Sequence, residues 1–247
     1  VRQAGGDDDL NSRRRWRVVA GMVVVFVLVS AGLVAATRPA IAATLCPRCY
    51  GLFGLGGDIY TDRRDTAYRR IVDEAESDIA AFYGDLKTRP RVLICSTAAC
   101  YRRIGGGSER GKAFGTSALM LAPAGANRTI ATHELSHVEF HERLGRTRAD
   151  VPHWFDEGLA VLVSGDSRYL KPSSEADRCR LPYRKALPIV TEKWAAAVKG
   201  GTDQPYRQAA CVVSRWASSH GGRTGVLELI ATLRAGGTFG EAVDVSG

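Results

Sequence analysis

Hydrophobic positions are spread unevenly along this chain. Residues 18–36 read VVAGMVVVFVLVSAGLVAA, 19 consecutive positions without a charge. A helix of that length crosses the hydrocarbon core of a bilayer, and nothing in the run is polar enough to give it a solvent face. Residues 37–58 are rich in Ala, Gly and Pro, lack a sustained period, and read as a linker. From Asp62 the pattern turns helical, with Ala67, Ile71, Ala75, Ile79 and Phe82 on one face and Gly84 closing the segment. Arg91 to Cys95 reads as a short strand, and residues 113–121 are extended in character and contain Gly115. Helices are expected over 130–144, ended by Gly145, and over 154–163, started by Pro152 and stopped near Gly165. Residues 166–188 look irregular. Helices over 206–219 and 225–233 follow, separated by Gly221-Gly222, with a short one at 239–243. A few strands followed by helices give an α+β domain over 59–247.

The N-terminal pattern is a topology signal. Arg13, Arg14, Arg15 and Arg17 precede the apolar run, and such a basic flank keeps residues 1–17 cytoplasmic while the rest of the chain is exported. Trp16 suits the interface. Two readings stand. The run is an uncleaved single-pass anchor, which its length and the 17-residue polar tail favour, or it is a signal peptide cleaved at Ala40-Ile41-Ala42, leaving a secreted protein. Both place the catalytic part outside the cytoplasm, periplasmic or at the cell surface. Export changes the meaning of Cys46, Cys49, Cys95, Cys100, Cys179 and Cys211, which become disulfide partners in an oxidising compartment. Six cysteines allow fifteen pairings. Cys95 with Cys100 would close a local loop, and Cys179 with Cys211 would tie a loop to a helix. Cys46-Pro47-Arg48-Cys49 has redox spacing but lacks the strand-then-helix setting of a thioredoxin-like site, so a local structural disulfide is preferred.

Composition adds little and excludes something. Lys+Arg 34 against Asp+Glu 26 gives a formal charge of +8, which invites a nucleic-acid reading. The cations are scattered, 28 Arg and 6 Lys, with no basic stripe, helix-turn-helix signal or zinc-finger spacing. No nucleic-acid partner is expected. The tail through Thr37 carries five Arg and three Asp, hence +2 of the +8. The exported +6 is compatible with an anionic membrane surface or acidic substrates.

The chemistry concentrates in His133-Glu134-Leu135-Ser136-His137, an HExxH sequence inside an expected helix. Positions i and i+4 share a helix face, so both imidazoles can converge on one ion. Glu134 projects about 100° away from His133 and can act on water at that ion. Imidazole suits Zn2+, and zinc lowers the pKa of water to about 7. Downstream, Trp154-Phe155-Asp156-Glu157-Gly158-Leu159-Ala160 places Glu157 20 positions after His137. Here the sequence resembles the gluzincin clan of zinc metallopeptidases, which pairs HExxH with a glutamate on a following helix. The resemblance implies His133, His137 and Glu157 as ligands and Glu134 as general base. The metzincin pattern would need Gly at 140 and His at 143, where this chain has Phe140 and Arg143. His141, one turn beyond His137, is expected beside the ligands or solvated.

Over 206–243 the chain resembles the C-terminal part of small peptidase MA-like domains. That likeness implies a zincin-like fold, a small mixed sheet with an edge strand followed by an active-site helix. It also implies that Tyr206 stabilises the oxyanion, with His220 as the competing residue. Segment 113–121 resembles the edge strand that lines the gluzincin cleft and takes a peptide by strand addition. No acid follows Glu109 there, which speaks against aminopeptidase action and for an endopeptidase. Thermolysin-like enzymes orient the first histidine with an aspartate four residues after the glutamate ligand, a position held here by Val161. Another group must serve, since metal-bound histidines need such a partner. The expected function is a membrane-anchored, extracytoplasmic, zinc-dependent peptidase acting on peptide or protein substrates. The alternatives are a catalytically silent peptidase-like domain that binds peptides or envelope proteins, and thiol redox chemistry at Cys46 and Cys49.

Overall fold

The computed structural model describes residues 38–181, 191–199 and 202–243, with positions 16, 19, 20 and 23 before them. The tail and the apolar run 18–36 lie outside the described residues except for those positions. Among the described residues no helix is long and apolar enough to cross a membrane. The expected linker is corrected from Arg38 onward. Helix α1 (Pro39–Leu45), a 3-10 turn (Pro47–Tyr50) and strand β1 (Phe53–Gly56) occupy it. Ala43 and Leu52 are fully buried there, with 0% and 1% exposure. Small residues that look like a linker in sequence are the ones that let this segment lie close against the domain; a Cβ on Gly105 would meet the Ala40 backbone nitrogen at 2.6 Å.

The domain is α+β. After β1 come β2 (Ile59–Thr61), α2 (Ala67–Tyr83), β3 (Arg91–Ile94), α3 (Ala98–Arg103), β4 (Gly111–Phe114) and β5 (Ala118–Leu121). Helices follow: α4 (Arg128–Leu144), α5 (His153–Ser164), α6 (Thr191–Lys199), α7 (Gln204–Ser219), α8 (Arg223–Arg234) and α9 (Phe239–Ala242). The five strands run β1-β2-β3-β5-β4, a mixed sheet in which β2, β3 and β5 are parallel and the two edges antiparallel. The extended segment expected over 113–121 is two strands joined by a turn at Gly115 (φ 58°), so the edge strand is β4 and begins earlier, at Gly111.

Strand alternation divides the core in two. Val92, Ile94, Leu119 and Leu121 face α2, α4 and the C-terminal helices, while Leu93 and Met120 face α1 and α3. The inward face of α2 is Val72, Ala75, Ile79 and Tyr83, rotated slightly from the expected stripe, with Ile71 and Phe82 at its margin. Helix α4 starts where the Asn127 side chain accepts from Ile130 N–H at 3.1 Å and stops at Gly145, φ 61°. Its far end is fixed by Glu139, 1% exposed. That carboxylate accepts from Lys87 N–H at 3.0 Å and from Arg143 Nε at 2.6 Å, and Arg143 also reaches Asp85. A buried ion pair of this kind is retained because removing one partner strands the other.

Helix α5 lies between α4 and α7. Phe155 holds its back through edge-on contacts with Trp216 at 5.2 Å and Phe239 at 5.1 Å. Gly158 lets it approach α7, since a Cβ there would sit 2.6 Å from the Ala209 carbonyl oxygen. All six cysteines are paired, Cys46–Cys49, Cys95–Cys100 and Cys179–Cys211, the last joining the 170–180 loop to α7. Gly158→Ala must push α5 off α7. A loss of about 1–3 kcal/mol is expected from overpacking, read as a lowered urea midpoint at unchanged m-value.

Candidate metal centre

The HExxH residues stand on the buried side of α4, and α5 brings Asp156 and Glu157 against them. His133 Nε2 is 3.2 Å from His137 Nε2, and Glu157 Oε2 lies 3.4 Å and 3.7 Å from the two nitrogens. These three donor atoms form one cluster suited to a cation. Two lone-pair nitrogens facing each other at that distance repel unless a proton or a cation lies between them, and a carboxylate beside them adds the charge that a cation needs.

Consecutive residues on α5 grip His137 from both sides. Asp156 Oδ1 lies 2.8 Å from His137 Nδ1, and Asp156 Oδ2 lies 2.8 Å from His141 Nε2. The roughly 100° between neighbours on a helix, which turns Asp156 away from Glu157, is what lets it reach the opposite edge of the same imidazole. With a proton held toward Asp156 at Nδ1, loss of the second proton would leave Nε2 of His137 as the lone-pair donor facing Glu157. The group formed by His137, His141 and Asp156 is therefore a hydrogen-bonded relay rather than a second ion site, because both contacts are at hydrogen-bond length. Asp62, Cys95 and Cys100 also cluster, but those sulfurs are spent in a disulfide.

His133 differs. Its Nδ1 is buried and has no hydrogen-bond partner. Val161, where a thermolysin-like enzyme has aspartate, is fully buried and offers nothing. The orienting carboxylate expected for the first histidine thus serves the second. The sequence held a signal for this: a third histidine at i+4 and an acid directly before the glutamate. Asp166 adds negative potential near His133, but its carboxylate is engaged by the Arg168 backbone and guanidinium at 2.9–3.0 Å.

Charge at the site is strongly coupled. Burial alone pulls the His137 pKa down, yet the Asp156 and Glu157 carboxylates outweigh it and lift the value to about 10. Burial would raise Asp156 and Glu157, and the charge of His137 brings both below the usual carboxylate range. Glu134 goes the other way. It is 7% exposed, and burial pushes its pKa up despite the two histidines. Its carboxylate accepts from Ala113 N–H on β4. Gly111 makes room for it, because a Cβ there would lie 2.7 Å from Glu134 Cγ.

Tyr206 opens α7 just after Pro205. It stacks on Tyr169 at 5.8 Å and meets Trp194 edge-on at 5.7 Å. Burial raises its pKa, and the negative charges of Glu157, and to a lesser extent Glu134, push it the same way. His220 is placed elsewhere. It caps the far end of α7, stacked on Trp216 at 4.9 Å. Fourteen residues of helix separate it from Tyr206, about 21 Å of rise. It is not a member of this site.

No protein-family model matches the chain, and neither the curated proteins nor the solved structures contain a match to it. The geometry therefore stands alone. Asp156→Asn keeps the shape and weakens the grip on His137. Its affinity for a divalent cation, measured by chelator competition, is expected to fall about 10–100-fold.

Proposed function

We propose that this chain is an extracytoplasmic, zinc-dependent peptidase of the gluzincin kind, held to the membrane by the 18–36 run and acting as an endopeptidase. The observation that carries the proposal is the convergence of His133 Nε2, His137 Nε2 and Glu157 Oε2 beside a buried glutamate. The donor set fits zinc. Tetrahedral bonds of about 2.0–2.1 Å place ligand atoms about 3.3–3.4 Å apart, and the three separations here are 3.2, 3.4 and 3.7 Å. A zinc ion held there supplies a Lewis acid that polarises a carbonyl and makes water acidic near neutral pH.

The chain's own groups do the rest. Glu134, with its raised pKa, takes a proton from water attacking the scissile carbonyl carbon. It then returns that proton to the departing amine as the C–N bond breaks. Tyr206 donates its O–H to the oxygen that becomes negative. Asp156 keeps His137 in one orientation throughout. Arg110 C=O, just before β4, accepts from Ala122 N–H at 2.8 Å, and Phe114 C=O at its end accepts from Ser117 N–H at 3.3 Å in the turn to β5. Antiparallel alternation then turns the main-chain groups of Gly111 and the Ala113 C=O outward, the Ala113 N–H being given to Glu134. An extended peptide can pair there as a sixth strand, recognised through its backbone and lying against Glu134.

Two observations bear on placement and on a second reading. Candidate cleavage motif Ala40-Ile41-Ala42 is folded into α1, and Ala43 beside it is buried, which supports the anchor over cleavage. The lone His133 Nδ1 supports a silent peptide-binding domain, since a loosely held ligand weakens metal chemistry.

The readings separate experimentally. Glu134→Gln is expected to abolish cleavage of an unfolded protein while one zinc per chain remains bound; retained cleavage refutes the role of Glu134. Glu157→Ala is expected to lose zinc, and unchanged metal content breaks the three-ligand assignment. Zinc bound by the parent chain without turnover of a broad peptide library would leave the silent domain. For Tyr206→Phe, kcat is expected to fall about 10²–10³-fold at nearly constant KM, the cost of one oxyanion donor.

A further inference from the structure

Large apolar side chains are exposed at Ile41, Leu45 and Phe53, at 47%, 73% and 43%, and among the described residues after position 37 no other large apolar side chain is so exposed. All three fall within thirteen residues, immediately after the uncharged run that ends at Ala36. Chance scatter of surface apolar residues needs no account, but a cluster does.

The local build explains how they come to be exposed. Ile41 and Leu45 are four residues apart and share one face of α1. The opposite face carries Ala43 into the smaller core with Leu93, Cys100, Ile104 and Met120. Leu52 turns into the same smaller core, while Phe53, in register with Thr61, points to the other face of the sheet and takes no part in the α1 face. The surroundings are cationic. No acid occurs between Asp9 and Asp58. Arg38 and Arg48 are exposed, and Arg103 donates to Tyr50 C=O at 3.1 Å beside the 3-10 turn.

We propose that this face, formed by Ile41 and Leu45 and flanked by the exposed Arg38, Arg48 and Arg103, rests on the membrane surface and takes anionic lipid headgroups. The proposal rests on the reading of residues 18–36 as an anchor. Only one residue, Thr37, separates that run from Arg38, so α1 starts within a few ångströms of the bilayer and its apolar face has lipid within reach. Apolar side chains then enter the headgroup boundary while the arginines stay at phosphate level. Each surface arginine adds modestly, and together they select anionic over zwitterionic lipid.

The test uses the full chain reconstituted in nanodiscs of phosphatidylglycerol with phosphatidylcholine, or of phosphatidylcholine alone. Leu45→Trp in a Trp16→Phe background places a reporter on the face; the remaining Trp154, Trp194 and Trp216 are buried. Brominated phosphatidylglycerol is expected to quench the new indole at least about twofold, with relief at high salt. In the unmodified chain, hydrogen exchange over 39–53 is expected to slow in anionic discs relative to detergent. No quenching in a chain that stays integrated overturns the proposal, as does equal quenching in phosphatidylcholine alone. Protection that grows with protein concentration in detergent also overturns it, since a second copy would then cover the face. Intact mass reports the anchor separately. If the N-terminus is lost, the anchor reading fails, and flotation of the clipped chain with anionic vesicles still decides for or against the face.

Discussion

The site depends on how closely α5 crosses α4. Two consecutive carboxylates, Asp156 and Glu157, must reach opposite edges of one imidazole, and a shift of α5 by a fraction of an ångström would spoil both contacts. That position is over-determined. Gly158 removes the one atom that would keep α5 off α7, and the aromatic group of Phe155, Trp216 and Phe239 holds the back of the helix. On the other side, Glu139, Arg143 and Lys87 fix the end of α4, and Asp78 holds its start through Arg128 and Thr132. Packing set the helices, and the donor atoms follow.

Burying Glu134, Asp156 and Glu157 around His133 and His137 is costly unless the negative charge is matched. Among the protein's own groups, a proton on His137 provides the match, which is why its pKa is raised. A divalent cation between the same donors, as proposed, would supply it and would also relieve the His133–His137 contact at 3.2 Å. The grip is uneven, because Asp156 aligns His137 while His133 Nδ1 has no partner. Position along α5 explains this. Residue 156 meets the second histidine, while Val161, further along α5, is buried among Tyr169, Leu170 and Ala210.

Long elements with caps were legible in the sequence. Asn127, Gly145, Pro152 and Gly165 bound the two central helices within two residues of expectation, because capping is local chemistry. The helical spacing of His133 and His137 likewise needs no tertiary information. Short elements were hidden. Strands β1 and β2 are four and three residues long, α3 has six, and β4 and β5 merge into one extended segment until the turn at Gly115 divides them. Period detection needs more residues than these supply. Residues 37–58 looked like a linker because small side chains serve a tight packing role as well as a flexible one. The pairing of Asp156 with His137 left only an indirect trace, His141 one turn on and an acid before Glu157, for another reason. It depends on the angle at which two helices cross, and helical phase alone gives only the direction in which Asp156 leaves α5.

The sheet gives the domain two distinct sides. Leu93 and Met120 point toward α1 and α3, and Val92, Ile94, Leu119 and Leu121 point toward α4. The apolar, arginine-ringed face of α1 therefore lies across the sheet from the HExxH helix. A bilayer on the α1 side leaves the outer edge of β4 and the cluster around Glu134 turned away from the lipid. In the proposed orientation an unfolded polypeptide would approach from the aqueous side and add to β4 without displacing lipid. On the proposed reading the positive charge would act at the membrane surface and set the attitude of the domain, and β4 would take its substrate by backbone pairing.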